Sequence, residues 1–195
     1  MTAPIVRIAD IAPFEGQTVR LQGWMFNRRG SKRFVFMQVR DGSGFIQCVV
    51  NREDSEERYE TAKRISQESS VVVTGTVAAD TRSKLGFEVH VTDVEVVSIA
   101  AGEYPIGKKE HGPDFLMNHR HLWLRSRRQH TVLHVRHTIV KAIRDYFDER
   151  GFLLLDSPIL TGNPCEGTST LFETPYFGAS AFLSQSGQLY QEAGA

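Results

Sequence analysis

The sequence has 195 residues, of which 41% are hydrophobic and 24% are charged. This composition is typical of a soluble globular protein with one ordinary domain or two small ones. The 23 basic and 23 acidic residues cancel, so the net charge favours no class of partner. No apolar run is long enough to span a bilayer, and residues 1–10 lack the apolar stretch of a signal peptide. We therefore expect a cytoplasmic protein without a membrane partner.

The first hundred residues have the pattern of short strands around one helix. Runs rich in β-branched and aromatic residues predict strands at 19–26, 34–40, 45–50, 70–78 and 87–99. The sequence Asp-Gly-Ser-Gly at 41–44 predicts a hairpin turn between the second and third strands. A surface helix is predicted within 54–67, where Tyr59, Ala62 and Ile65 recur at helical spacing. Three strands, a helix and two strands is the order of an OB-fold barrel, which often binds oligonucleotides.

The remaining residues divide into a predicted hinge and a second domain. Gly and Pro residues interrupt 101–128 and predict an irregular hinge there. From Gln129, apolar residues at spacings of three and four predict a helix that ends near Gly151, followed by a short apolar strand at 152–155. The predicted organisation is thus an all-β barrel at 1–100, a hinge at 101–128 and an α+β segment at 129–195.

Four side chains of the predicted barrel have the chemistry needed to read an unstacked base. Phe36 and Gln47 lie on adjacent strands of the hairpin, with Arg29 shortly upstream and Glu88 on the last strand. An aromatic ring is a stacking platform, while the carboxamide, guanidinium and carboxylate supply hydrogen-bond donors and acceptors. On this pattern alone a buried Phe36 is the more frequent outcome, because aromatic residues in strands usually belong to the core.

Other motifs leave alternatives open or exclude a chemistry. The basic stretch of Arg28, Arg29, Lys32 and Arg33 contains no acid and forms either a phosphate-contact surface or a solvated face.

His130, His134 and His137 have helical spacing, but no nearby carboxylate completes a metal site. The sequence contains no Walker A loop, no GxGxxG motif and no hydrolase constellation, and its two cysteines, Cys48 and Cys165, are too few for a disulfide framework. We predict neither a metal site nor a catalytic residue.

A polar segment at 182–192 has the composition of one wall of a binding pocket. Serine hydroxyls, glutamine carboxamides and the carboxylate of Glu192 lie beside Phe182, Leu183, Leu189 and Tyr190. Buried polar groups are costly unless each finds a partner. The segment therefore predicts a site for a small ligand with amide and ammonium groups, and the rest of that site is expected downstream.

These residues together resemble the class II aminoacyl-tRNA synthetases of the aspartate, asparagine and lysine subgroup. The resemblance is carried by Gly23-Trp24 through Arg29, by Phe36, by Arg40-Asp41, and by Gly44 and Gln47, which are similar to the anticodon-binding signature of that subgroup. Residues 125–158 resemble motif 1 of class II enzymes, and the segments 103–112, 115–125 and 185–190 are similar to those of asparaginyl-tRNA synthetases.

The resemblance implies a role for each candidate residue. In the barrel, Phe36 would stack on the central anticodon base, Gln47 and Arg29 would contact base edges, and Glu88 would help to read a neighbouring base. Apart from the resemblance, the acid-free basic stretch assigns phosphate contacts to Arg28, Lys32 and Arg33. In the second domain Pro158 would build a homodimer interface, Glu166 would pair with the substrate ammonium, and Ser186, Gln188 and Gln191 would line the amino-acid pocket.

The resemblance also implies a reaction and a substrate. The complete enzyme would use ATP and Mg²⁺ to activate asparagine and would transfer it to tRNA. Aspartyl enzymes carry a lysine where this chain has Gln191. A buried ammonium would lack an ion partner against a neutral amide substrate, which favours asparagine over aspartate.

In this family, motifs 2 and 3, with their ATP-binding arginines, normally follow the segment at 185–190. The 195 residues contain neither motif and so depart from the family pattern. We therefore expect the 195 residues to bind tRNA, to bind ATP and Mg²⁺ poorly, and not to form the adenylate alone. Two alternatives stay open: a stand-alone, non-catalytic RNA-binding OB module, and an aspartyl or dual-specificity synthetase.

Overall fold

The computed structural model describes residues 3–107, 109–162 and 171–195. Its chain divides into two units, Met1–Glu110 and His111–Ala195. In the first unit, two 3-10 turns, Ile8–Asp10 and Ala12–Phe14, precede the strands. The strands are β1 (Thr18–Gly30), β2 (Phe34–Arg40), β3 (Phe45–Asn51), β4 (Ser70–Ala79) and β5 (Phe87–Ser98), with helix α1 (Glu56–Arg64) between β3 and β4.

The five strands form a closed barrel in the order β1-β2-β3-β5-β4. Strand β4 pairs with β1 in antiparallel fashion and closes the barrel, whereas β3 and β5 pair in parallel. This topology confirms the predicted OB-fold. The strands and the helix also lie where the sequence pattern predicted them, with small differences at most ends, but β1 continues beyond the predicted residue 26 to Gly30 and so includes Arg29.

Strict alternation of side chains decides which residues face the barrel interior. On β2, Val35, Met37 and Val39 are buried, and on β3 the buried residues are Ile46, Cys48 and Val50. Since successive side chains of a strand point to opposite faces, the residues between them, including Phe36 and Gln47, lie on the outer face.

The turn between β2 and β3 holds this register. Asp41 accepts hydrogen bonds from the backbone N–H groups of Ile8, Ser43 and Gly44, at 2.7 to 2.9 Å. Burial raises the pKa of the Asp41 carboxyl, but these hydrogen bonds, together with one from the Ser43 hydroxyl, outweigh it, and the pKa lies below its ordinary value of 3.8. A slip by one residue would break these contacts and exchange the two faces of the hairpin.

Helix α1 covers the barrel core between β3 and β4. The hydroxyl of its N-cap, Ser55, accepts a hydrogen bond from the backbone N–H of Arg58. Tyr59 and Ala62 are buried against the barrel, and the Tyr59 hydroxyl donates to the Ser31 carbonyl at 2.6 Å. The loop that joins β1 to β2 is thereby fixed to the helix.

The second unit contains more regular structure than the sequence predicted. Its elements are α2 (Pro113–Asn118), α3 (Arg120–Trp123), α4 (Arg127–Asp148), β6 (Leu160–Thr161), β7 (Glu173–Tyr176), β8 (Ala179–Leu183) and α5 (Gln188–Gly194). Two short helices thus occupy part of 101–128, the predicted hinge. The long helix begins at Arg127, because the Ser126 side chain caps it by accepting from the Gln129 N–H.

The prediction of a strand at 152–155 is wrong, since the structure has no strand at these residues. Leu153 is 92% exposed, and the Leu155 carbonyl accepts a hydrogen bond from the Gln191 side chain instead of from a strand. The sheet of this unit has the order β6-β8-β7. Its hairpin turns at Phe177 and Gly178, both with positive φ, as a two-residue type I′ turn requires.

The apolar face of α4 is open in the second unit. Val132, Val135, Ile139, Ile143 and Phe147 are each 46 to 54% exposed. This face has the helical spacing that the sequence predicted, but it does not form a core like that of the barrel. Among the residues described, no helix combines the length and apolarity that crossing a membrane requires.

Candidate nucleic-acid interface and polar C-terminal segment

The structure brings Arg29, Phe36, Gln47 and Glu88 together on the outer face of the barrel. The Arg29 Nη2 donates to Gln47 Oε1 at 3.2 Å, and Gln47 Nε2 donates to Glu88 Oε2 at 2.9 Å. The Arg29 guanidinium carbon lies 5.1 Å from the centre of the Phe36 ring, within the range of a cation–π contact. The four residues therefore form one connected group, which we call the outer-face cluster.

Strand register explains why residues so far apart in sequence meet. Arg29 is the cross-strand partner of Phe36, and Gln47 is the partner of Glu88 in the parallel pairing of β3 with β5. Directly paired residues present their side chains on the same face of a sheet. Only the parallel pairing of β3 with β5 places the Glu88 carboxylate beside the β2–β3 hairpin. The local sequence of either strand does not predict that pairing.

The orientation of the Gln47 carboxamide follows from its partners. Arginine has donors but no acceptor, and an ionised carboxylate only accepts. The oxygen of Gln47 must therefore face Arg29 and its nitrogen must face Glu88, as the structure has them. A carboxamide still offers a second N–H and a second lone pair to a ligand.

Phe36 is half-buried and belongs to the outer face, because its neighbours Val35 and Met37 fill the interior. It is therefore not a core residue. Phe34, two residues earlier on the same face, has its ring centre 6.0 Å from that of Phe36. Phe34 is not among the predicted site residues, although the period of two along β2 places it on the same face as Phe36.

A further side chain that sequence reasoning missed is His90. Its Nε2 lies 3.1 Å from Glu88 Oε1, on the same strand face two residues after Glu88. Between them, Val89 is buried in the core. Close to this group, burial together with the charge of Glu88 raises the pKa of the Cys48 thiol, so Cys48 is an inert core residue.

The predicted phosphate-binding residues lie in two different settings. Lys32 and Arg33 are exposed in the loop between β1 and β2, and Arg33 is only weakly paired with Glu53 at 3.9 Å. Arg28 instead donates to the Ala62 carbonyl at 3.3 Å. The loop is therefore the more accessible part of the basic surface, and it adjoins the end of β2 that carries Phe34 and Phe36.

In the second unit, the polar segment places three predicted site residues around the start of α5. The Gln191 Nε2 donates to the Leu155 carbonyl at 2.7 Å, and Gln188 Nε2 donates to Glu192 Oε1 at 2.9 Å. The Ser186 hydroxyl accepts from the Gln188 N–H at 3.4 Å. All three side chains are exposed, so within the described residues they form an open surface.

Two other predicted residues of this unit have different outcomes. Pro158 is exposed and follows Ser157, whose hydroxyl donates to the Gly187 carbonyl at 3.4 Å. Glu166 lies outside the described residues. On α4 the Nε2 atoms of His130 and His134 are 3.2 Å apart, but within 3–107, 109–162 and 171–195 no group of three or more His, Cys, Asp or Glu side chains could hold a metal ion.

Each unit of the chain matches a known family. Residues 19–97 match the family described as OB-fold nucleic acid binding domain, and residues 112–194 match tRNA synthetases class II (D, K and N). The chain is 51% identical over 193 residues to an asparagine–tRNA ligase of Sorangium cellulosum (strain So ce56), covering 98% of this chain and 43% of that protein. It is 47% identical over 204 residues to one of Streptococcus sanguinis (strain SK36), covering 100% of this chain and 45% of that protein.

The fold is similar to that of a crystal structure of asparaginyl-tRNA synthetase from Pyrococcus horikoshii complexed with asparaginyl-adenylate. The TM-score is 0.86 and the sequence identity is 37%, over 93% of this chain and 42% of that one. The chain thus spans less than half the length of the curated relatives that it matches.

Proposed function

We propose that this chain, which belongs to the class II tRNA synthetases of the aspartate, lysine and asparagine group, contributes the anticodon-binding barrel and part of the amino-acid site of an asparagine–tRNA ligase. Such an enzyme joins asparagine to ATP with release of pyrophosphate and transfers the asparaginyl group to tRNA. The observation that carries the proposal is the outer-face cluster, in which Arg29, Gln47 and Glu88 are joined by hydrogen bonds and Arg29 lies over the half-buried ring of Phe36.

The barrel face has the parts that single-stranded RNA requires. Bases in a loop are unstacked, so they can stack on an aromatic ring and expose their edges to polar side chains. Phe36 supplies the ring, and Gln47 supplies a donor and an acceptor whose orientation is set before RNA binds. Preorganised groups lose less conformational entropy on binding, which favours selective recognition.

The basic loop extends this face toward the RNA backbone. Lys32 and Arg33 are exposed next to the strand that carries the aromatic rings. We assign them to phosphate contacts, which add affinity without base selectivity and weaken as salt is added. Arg28 belongs to the same surface, and its bond to Ala62 fixes the guanidinium near the loop.

Replacing Phe36 by alanine is expected to weaken binding of the tRNA by about 1 to 3 kcal/mol, because one base loses its stacking partner. The dissociation constant is measured by fluorescence anisotropy with an asparagine tRNA, at two salt concentrations so that stacking is separated from phosphate contacts. Phe36→Tyr keeps the ring and is the matched control, with affinity close to that of the unaltered chain. Unchanged affinity in a folded F36A variant would contradict the assignment.

For the amino-acid side, we assign Ser186, Gln188 and Gln191, together with Glu166, to recognition of asparagine. The support is the resemblance of these positions and the placing of Ser186, Gln188 and Gln191 around one end of α5. Gln191 is neutral, so it offers no ion partner to a substrate carboxylate. Glu166 enters on the resemblance alone.

The substrate assignment has its own test. A protein that carries these 195 residues together with the ATP-binding segments of its relatives is expected to exchange pyrophosphate into ATP with asparagine and not with aspartate. Glutamine is a size control, because it keeps the amide and adds one methylene group. Exchange that is equally fast with aspartate would favour a dual-specificity enzyme, and exchange with aspartate alone would overturn the assignment.

The proposal also includes a cofactor, an assembly and a compartment. The reaction requires ATP and Mg²⁺, and we assign no step with ATP to the residues described, among which no group of three or more His, Cys, Asp or Glu side chains could hold a metal ion. We assign the exposed apolar face of α4 and Pro158 to an interface of a homodimer. The cytoplasm is the proposed location, since tRNA is charged where it is used in translation.

A further inference from the structure

The carboxylate of Glu88 is held from both sides. Gln47 Nε2 lies 2.9 Å from Oε2, and His90 Nε2 lies 3.1 Å from Oε1. Each oxygen therefore has its own donor, and the plane of the carboxylate is set. Because a carboxylate only accepts, the hydrogen of His90 in this contact lies on Nε2. The Glu88 side chain is 13% exposed and that of His90 is 61% exposed.

Strand geometry makes this contact part of the barrel face. Val49 on β3 pairs with both Phe36 on β2 and His90 on β5, so the three residues share one row across the outer face. Neighbouring strands lie about 4.8 Å apart, which puts His90 about 10 Å from Phe36 along that row. A nucleotide next to the one stacked on Phe36 falls within this distance.

We infer that His90 is a positioning residue, which orients the Glu88 carboxylate for recognition of the base that neighbours the base stacked on Phe36. The inference rests on the proposed function, because it concerns the same RNA-binding face. A carboxylate oxygen has more than one lone pair. Glu88 can therefore keep its two protein donors and still accept two parallel hydrogen bonds from a base edge.

The chemistry of the carboxylate selects the probe. Guanine presents two adjacent N–H donors on its Watson–Crick edge, whereas inosine lacks the exocyclic amino group and presents one. A carboxylate in a fixed orientation distinguishes the two bases better than a mobile one, because the mobile group must be ordered when it binds. Loss of His90 is therefore expected to reduce selectivity more than overall affinity.

The test uses the complete 195-residue chain and two anticodon stem–loop RNAs that differ only in guanine or inosine beside the central base. The unaltered chain is expected to prefer guanine. His90→Ala is expected to reduce the guanine-to-inosine affinity ratio by about fivefold. His90→Gln carries an N–H donor at a similar reach and is expected to restore the ratio. Because the side chain of His90 is mostly exposed, both variants are expected to fold.

Three outcomes would overturn the inference. Equal loss of affinity for both RNAs in His90→Ala would mean that His90 contacts the RNA backbone itself. Unchanged affinity for both RNAs would mean that His90 has no role in binding. Failure of His90→Gln to restore the ratio would show that the donor to Glu88 is not what matters. If the unaltered chain bound neither RNA, and Phe36→Ala changed nothing, the proposed function would fail instead.

Discussion

Replacing Arg40 by alanine is expected to lower the free energy of unfolding of the barrel by about 3 to 5 kcal/mol, because the largely buried Glu68 carboxylate loses its ion pair with Arg40. Arg40 Nη2 lies 2.8 Å from Glu68 Oε2, and the two side chains are only 11% and 5% exposed. The guanidinium carbon also lies 5.6 Å from the Trp24 ring and 5.9 Å from the Phe26 ring. The expected loss of stability is far larger than that caused by breaking an exposed ion pair.

The measurement is urea unfolding followed by Trp24 fluorescence in a Trp123→Phe background, so that the signal reports the barrel. A double variant, Arg40→Met with Glu68→Met, is the informative control. It removes both charges and is expected to recover most of the stability, since replacing a whole buried pair by apolar residues is often nearly neutral. A loss below about 1 kcal/mol in the single variant would show that water reaches Glu68 and that the pair behaves like a surface one.

Arg40 is one of the residues by which the chain resembles its family, yet its role in this pair is structural. From sequence, Arg40 was identified only through the resemblance, whereas Asp41 also begins the predicted hairpin turn. In the structure, Arg40 connects β2 to Glu68, and Asp41 holds the following turn through backbone N–H groups. Both fix the hairpin on which Phe36 and Gln47 are displayed, so part of the resemblance reflects the scaffold and part reflects the binding face.

The barrel could be predicted from sequence because its signals are local. Strands β2 and β3 are rich in β-branched and aromatic residues and flank a Gly-containing turn, and the turn sets the register in which buried and outward-facing residues alternate. The outward position of Phe36 follows from that register. The pattern alone did not decide it, because Phe34 and Phe36 are as apolar as the residues that point inward.

The contacts of Glu88 could not be predicted in the same way. They depend on a parallel pairing between β3 and β5, which are separated by α1 and β4 in the chain. His90 was missed for this reason: without the pairing, nothing marks it as a neighbour of the binding face. The same applies to the apolar run at 152–155, because a strand requires a neighbouring strand that local sequence does not supply.

The hairpin of β7 and β8 shows a different limit. Its turn signal, Phe177-Gly178, has one residue other than glycine in a left-handed conformation, and that is uncommon for an aromatic residue. The sequence predicts a polar segment at 182–192 but no strand at 173–183. Of β7 and β8 only Ala181 is buried. A pattern of buried and exposed residues therefore does not mark these two strands in the sequence.

Replacing Gly75 by alanine is expected to destabilise the barrel by about 3 kcal/mol, because β4 and β5 are too close to admit a methyl group. A Cβ at this position would overlap the His90 carbonyl oxygen and lie 2.6 Å from Val89 Cγ1. The pairing of β4 with β5 already shifts register between Thr74 and Gly75. The strand that would have to move is the one that carries Glu88 and His90, so RNA affinity should fall together with stability.

Gly42→Ala is the matched control for this prediction. No atom lies within 4 Å of a Cβ at Gly42, and its φ is not in the left-handed region. That substitution is expected to be neutral or to stabilise by up to about 1 kcal/mol, because alanine restricts the unfolded chain. Urea unfolding and RNA binding of both variants give the comparison. Equal stability of the two variants would show that the β4–β5 contact yields easily, whereas a destabilised Gly75→Ala that binds RNA normally would separate the packing of β4 from the position of Glu88.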